Sequence, residues 1–155
     1  MSQFTIHIKL PAYLDQWLCH DYWDYATGRV QFENGSNCHC IMSVFLQERP
    51  KGYTEPDDDE GLTPIAVPTY KGLRPETHCW LSREGEAALV SAIKRNFRAL
   101  LDRELSRLYT QDVCITDIIY AFMELHGIDT TETNWETIRQ MYKRMRDKSV
   151  RSQVK

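Results

Sequence analysis

The chain has 155 residues, 42% of them apolar and 26% charged, enough to bury a core of its own, and wholesale disorder is excluded. Its five Cys never form a C-x-x-C pair, no apolar run approaches the roughly 20 residues of a membrane span, and "MSQFTIHIKL" lacks the regions of a signal peptide. A cytoplasmic protein with unbridged thiols and no membrane partner is therefore expected. The net charge of −3 is uneven: residues 1–80 carry 6 basic and 11 acidic side chains, net −5, and residues 81–155 carry 13 and 11, net +2.

In "FTIHIKL", Phe4, Ile6, Ile8 and Leu10 alternate with Thr5, His7 and Lys9, which predicts a half-buried strand. Pro11 fits the first turn of a helix, and Leu14, Trp17, Leu18 and Tyr22 recur at helical spacing through "PAYLDQWLCHDYW". "RVQFE" and "CHCIMSVFL" read as two strands joined around Asn34-Gly35. "QERPKGYTEPDDDEG" is a solvated loop, and its "PDDDE" lacks the ligand spacing of an EF-hand. "TPIAVP" is a short strand whose prolines predict a sheet edge or terminus. "TYKGLRPETHCW" reads as irregular.

After Ser82, a predicted N-cap, Leu89, Ile93, Phe97, Leu100 or Leu101, Leu105 and Leu108 form one stripe, a helix of about 26 residues and roughly 40 Å. A shorter helix covers about 115–126, with Ile118, Ile119, Phe122 and Leu125 inward and Gly127 ending it. The last helix begins at a Thr133–Glu136 capping box and buries Trp135, Ile138, Tyr142 and Met145. The fold expected is α+β: a small N-terminal sheet of about four strands with one helix, then a helical C-terminal half of about three helices. The expected division is 1–81 and 82–155.

From Arg139 onward there are seven Lys or Arg against one acid, Asp147. A capped helix with basic exposed positions, after a helix and a glycine turn, resembles a helix-turn-helix reader of DNA. That reading places Arg139, Lys143, Arg144, Arg146 and Lys148 on phosphates and leaves Gln140 for a base edge. The connection "GIDTTETN" is longer than the usual turn of that motif, and cations near a helix C-terminus are favoured by its dipole without any ligand. Lys94, Arg95 and Arg98 form a second basic cluster, partly matched by the spacings Arg98–Asp102 and Glu104–Arg107.

Cys38, Cys40, His78 and Cys79 are the candidate zinc ligands. On a strand, Cys38 and Cys40 share the face of Met42, Val44 and Leu46, which makes them core side chains instead. No catalytic motif surrounds any Cys, and no phosphate-binding, zinc-protease or nucleophile-elbow pattern occurs, so neither an enzyme nor a cofactor is expected. Trp23 and Tyr25 lie off the first helix's stripe, among Asp15, Asp21 and Asp24, a setting suited to a protein partner.

The blocks "IKLPAYLDQWL", "GLRPETHCWLS" and "IIYAFMELHGIDTTETNWETIRQMYKRMR" together resemble a group of small uncharacterised proteins from Bacteroidales genomes and their mobile elements, over most of the chain. The resemblance brings no activity or site residues; it implies a setting in which DNA or phage components are handled. The function expected is a small accessory protein contacting DNA or RNA through its basic C-terminal helix. The rival is a protein-interaction or assembly module, with a protein partner or as a homodimer. A Cys/His enzyme or zinc site is the third reading.

Overall fold

A computed structural model describes residues 4–54, 61–108 and 113–154. The fold is α+β, and the chain packs as two compact units, Met1–Lys94 and Arg95–Lys155. The acidic "PDDDE" lies outside the described residues, as do Lys155 and the side chain of Leu108. No helix among the described residues is long and apolar enough to cross a membrane.

In the first unit, β1 (Thr5–Ile8) follows the alternation of its sequence, with Ile6 and Ile8 buried. Helix α1 (Ala12–Asp21) buries Tyr13, Leu14, Trp17 and Leu18. Pro11 is its N-cap rather than part of its first turn, and the Pro11 carbonyl accepts the Leu14 and Asp15 N–H groups at 3.0 and 3.1 Å. The helix stops before Tyr22, and β2 (Trp23–Asp24) pairs antiparallel with β3 (Arg29–Val30). Asp24 builds the turn: its side chain accepts the Ala26 N–H at 3.0 Å and the Thr27 hydroxyl at 2.8 Å, and its carbonyl accepts the N–H of Gly28, whose φ is 67°.

The stretch "CHCIMSVFL" overturns its expectation. It is mostly helix α2 (Asn37–Phe45), and only β4 (Leu46–Glu48) is strand. Asn34-Gly35 therefore leads into a helix instead of a hairpin. Ser36 is the N-cap, its hydroxyl accepting the His39 N–H at 3.3 Å, and Cys38 and Met42 sit four apart on the buried face. Val44 is 75% exposed and Cys40 is exposed, so neither shares the face of Cys38.

Strand β5 (Thr63–Ala66) is central, a second correction: the four-stranded sheet runs β1-β5-β3-β2, with β5 antiparallel to β1 and parallel to β3. Pro64 is tolerated there for a geometric reason. The Val67 N–H bonds the Phe4 carbonyl at 3.0 Å, so by antiparallel alternation the Pro64–His7 pair exchanges no hydrogen bonds, and β3 meets β5 only at Ile65. The stretch expected to be irregular contains β6 (His78–Leu81), which pairs with β4 in a separate two-stranded sheet. The N-terminal part thus holds two helices among its strands, not one.

Helix α3 (Arg83–Leu108) starts where expected: the Ser82 hydroxyl accepts the Gly85 N–H at 3.1 Å. Leu89, Ile93, Phe97, Leu101 and Leu105 are all fully buried, and Leu100 is only half-buried, which settles the stripe on Leu101. Gly85 is buried, and an added Cβ would meet the Phe45 Cβ at 3.0 Å and the Leu81 Cδ2 at 3.3 Å. Ala in a helix is ordinarily better than Gly by about 1 kcal/mol. Here the Phe45 Cβ is fixed to the backbone and cannot swing aside, so Gly85→Ala is expected to destabilise, by about 1–3 kcal/mol. A rise in thermal midpoint would refute that packing.

Candidate nucleic-acid interface

The second unit holds the end of α3, α4 (Ile115–Leu125) and α5 (Glu132–Gln153). Ile118, Ile119, Phe122 and Met123 form the buried face of α4. Leu125, expected inward, is 59% exposed, because the stripe turns toward Met123 and leaves it on the flank. The helix ends at Gly127 as expected: at φ 67° it lets the Ile128 N–H reach the Met123 carbonyl at 2.9 Å and its own N–H reach Glu124 at 3.4 Å.

Helix α5 begins before the predicted capping box. Its N-cap is Thr131, whose hydroxyl accepts the Asn134 N–H at 3.2 Å, while the Thr133 carbonyl accepts the Thr137 hydroxyl inside the helix. The buried Asn134 explains the earlier start: its Nδ2 donates to the Asp129 carbonyl at 3.0 Å and ties the loop to the first turn. Ile138 and Tyr142 are buried as predicted, and Trp135 and Met145 are half-buried. The Trp135 ring stacks on Tyr120, with centroids 6.0 Å apart and planes at 22°.

The six residues singled out on α5 divide between its sides. Arg144 and Lys148 line a groove of about 440 Å³, joined there by Arg151 and by Arg98 of α3. Arg144, Lys148 and Arg151 are spaced i, i+4, i+7, so they share one face. Met141 and Met145 supply the apolar lining, and Asp147 is the single acid. Among the described residues, none of the four cationic side chains has a hydrogen-bond or ion-pair partner. Asp102 thus does not hold Arg98, and Glu104 lies 3.9 Å from Arg103 instead of pairing with Arg107.

Arg139 and Gln140 are engaged elsewhere. Arg139 Nε lies 3.2 Å from Glu136 Oε2, and its guanidinium sits 5.6 Å from the Trp135 ring centroid. Gln140 Nε2 donates to Glu136 Oε1 at 3.1 Å. These two donors hold the Glu136 carboxyl below the usual carboxylate range, the Gln140 hydrogen bond contributing most. Arg146 lies 5.9 Å from the Tyr142 centroid, and Lys143 is exposed outside the groove. Arg151 could have been added from its spacing alone. Arg98 needed the packing of two helices distant in sequence.

Among the described residues, no three His, Cys, Asp or Glu side chains are grouped to hold a metal ion. Cys38 and Cys79 are buried, Cys40 is exposed and turned toward the Gly35 carbonyl at 3.8 Å, and His78 Nδ1 pairs with the Thr77 hydroxyl at 2.9 Å. The five Cys are unbridged and unequal. Cys114 is exposed at the N-cap of α4, where the backbone N–H and hydroxyl of Thr116 hold its pKa below the ordinary thiol value. Burial, with Asp15 beside it, pushes Cys19 up to about 11. A lower pKa leaves more thiolate at neutral pH. Alkylation followed by mass spectrometry is therefore expected to label Cys114 well before Cys19, and Cys19 only as the pH nears 11. Equal rates at the two sites would contradict these environments.

Comparison with protein-family models, curated proteins and solved structures returns no match.

Proposed function

We propose that the protein is a small accessory protein that binds the phosphate backbone of nucleic acid in the groove lined by Arg98, Arg144, Lys148 and Arg151. The observation that carries this reading is the convergence of four cations, none neutralised by a described neighbour, on one groove of a chain whose net charge is −3. Guanidinium groups suit phosphate because they donate in a fixed planar fork. No base-reading group is assigned, since Gln140 is bonded to Glu136, so binding is non-specific and salt-dependent.

Fluorescence anisotropy with duplex and single-stranded probes across a salt series tests it. Each phosphate contact on duplex DNA contributes about −0.9 to the log–log slope, so four contacts lose roughly 10²-fold in affinity between about 50 and 200 mM salt. Changing Arg144, Lys148 and Arg151 together to Ala should shrink the slope by about 2–3. The matched variant with Arg139, Lys143 and Arg146 changed to Ala should move it far less. Equal effects from both, or no binding at low salt, would remove the groove from the reading.

A second reading, a protein-interaction or assembly module, draws on Tyr120 and Leu125, 39% and 59% exposed on α4. A stable dimer by light scattering that dissociates on Leu125→Asp, with no nucleic-acid affinity, would favour it.

A further inference from the structure

The groove that would hold phosphates has a second property: its floor is apolar. Met141 and Met145 are half-buried, whereas Arg98, Arg144, Lys148 and Arg151 are exposed. The thioethers therefore lie deeper, and the charges stand above them. Arg98 comes from α3 and the other three from α5, so cations flank the floor from both helices. Asp147, the single acid of the lining, follows Met145 by two residues and lies about 160° round the helix from it. That spacing sets the acid at the outer rim and away from the floor.

An apolar floor beneath flanking cations is complemented by a polyanion that can turn apolar faces inward between its charges. A duplex keeps its base faces stacked on one another, so it has only base edges, sugars and phosphates to offer. An unpaired strand can rotate its bases away from its phosphates, so that rings meet the floor while phosphates meet Arg and Lys. Met141 and Met145 are four residues apart, about 6 Å along the helix, which leaves contact for about two bases. Sulfur against an aromatic ring is favourable, and a flexible thioether fits any base, so a preference for unpaired strands arises without base choice. Resting on the phosphate-binding reading, we infer that the groove takes an unpaired strand of nucleic acid, its phosphates on the four cations and its bases against Met141 and Met145.

The test compares three labelled probes by fluorescence anisotropy: a short oligothymidylate, an abasic oligonucleotide with the same number of phosphates, and a duplex of the same length. At about 200 mM salt, where phosphate contacts are weakened, oligothymidylate should bind about tenfold tighter than the abasic strand, and tighter than the duplex. The two single strands should share one log–log salt slope, since they carry the same charges. Changing Met141 and Met145 together to Gln keeps side-chain length and helix propensity. It should erase most of the tenfold advantage and leave abasic binding unchanged, a pattern that an unfolded variant would not give. The inference fails, and the phosphate reading survives, if the abasic strand or the duplex binds as tightly as oligothymidylate. It fails likewise if the Gln pair leaves oligothymidylate binding as it was. If none of the three probes binds even at low salt, the phosphate reading falls and this inference with it.

Discussion

Phe122→Ala is expected to remove about 3–5 kcal/mol from the second unit and to leave its helices largely melted near physiological temperature. Phe122 is fully buried and meets Phe97 edge-on, centroids 5.8 Å apart at 76°, and His126 on the same helix at 4.7 Å. It therefore joins the end of α3 to α4, and its removal leaves a cavity that the Phe97 ring cannot fill without leaving its own place. A unit of roughly 60 residues has only about 3–9 kcal/mol to lose. Leu125→Ala, three residues along the same helix, removes a side chain that is 59% exposed and should stay within about 0.5 kcal/mol. Thermal and denaturant melts followed by helical circular dichroism separate the two. If Phe122→Ala melts like Leu125→Ala, the core of this unit has been misassigned.

That contrast marks how far periodicity carries. β1, α3 and α5 were legible because each repeats its apolar residues long enough to exclude the other period: Ile6 and Ile8 in one case, five residues from Leu89 to Leu105 in another. Leu125 was misplaced because α4 is only three turns long, and a stripe of Ile118, Ile119, Phe122 and Met123 is centred only about an eighth of a turn from the expected one. β5 was read as an edge from its prolines, a rule that holds only when the missing N–H would face a partner strand. At Pro64 it faces neither β1 nor the one residue of β3 that pairs. For the candidate groove, helical spacing in the sequence already puts Arg144 and Lys148 on one face. Which charges remain unneutralised depended on Glu136 taking Arg139 and Gln140, and on Arg98 arriving from α3.

The sharpest local test concerns α2, where two periods fit the same letters. In "CHCIMSVFL" alternation puts Cys38, Cys40, Met42 and Val44 on one face, whereas helical spacing puts Cys38 with Met42 and turns Cys40 and Val44 outward. The Ser36 cap decides locally for the helix, since it supplies the orphan His39 N–H with an acceptor that a continuing strand would not use. Lysine scanning makes the difference large. Met42→Lys places an ammonium at a fully buried position and is expected to cost about 4 kcal/mol or more, enough to unfold a marginal unit. Val44→Lys, at 75% exposure, should change stability by less than about 0.5 kcal/mol, and replacing a β-branched residue by Lys slightly favours the helix. A strand would make both substitutions severe, because both side chains would enter the core together. Chemical denaturation of the two variants thus reads the local backbone directly: a tolerant Val44 with an intolerant Met42 is the helical result. Equal intolerance would return the segment to the sheet, and Cys38 and Cys40 to one face.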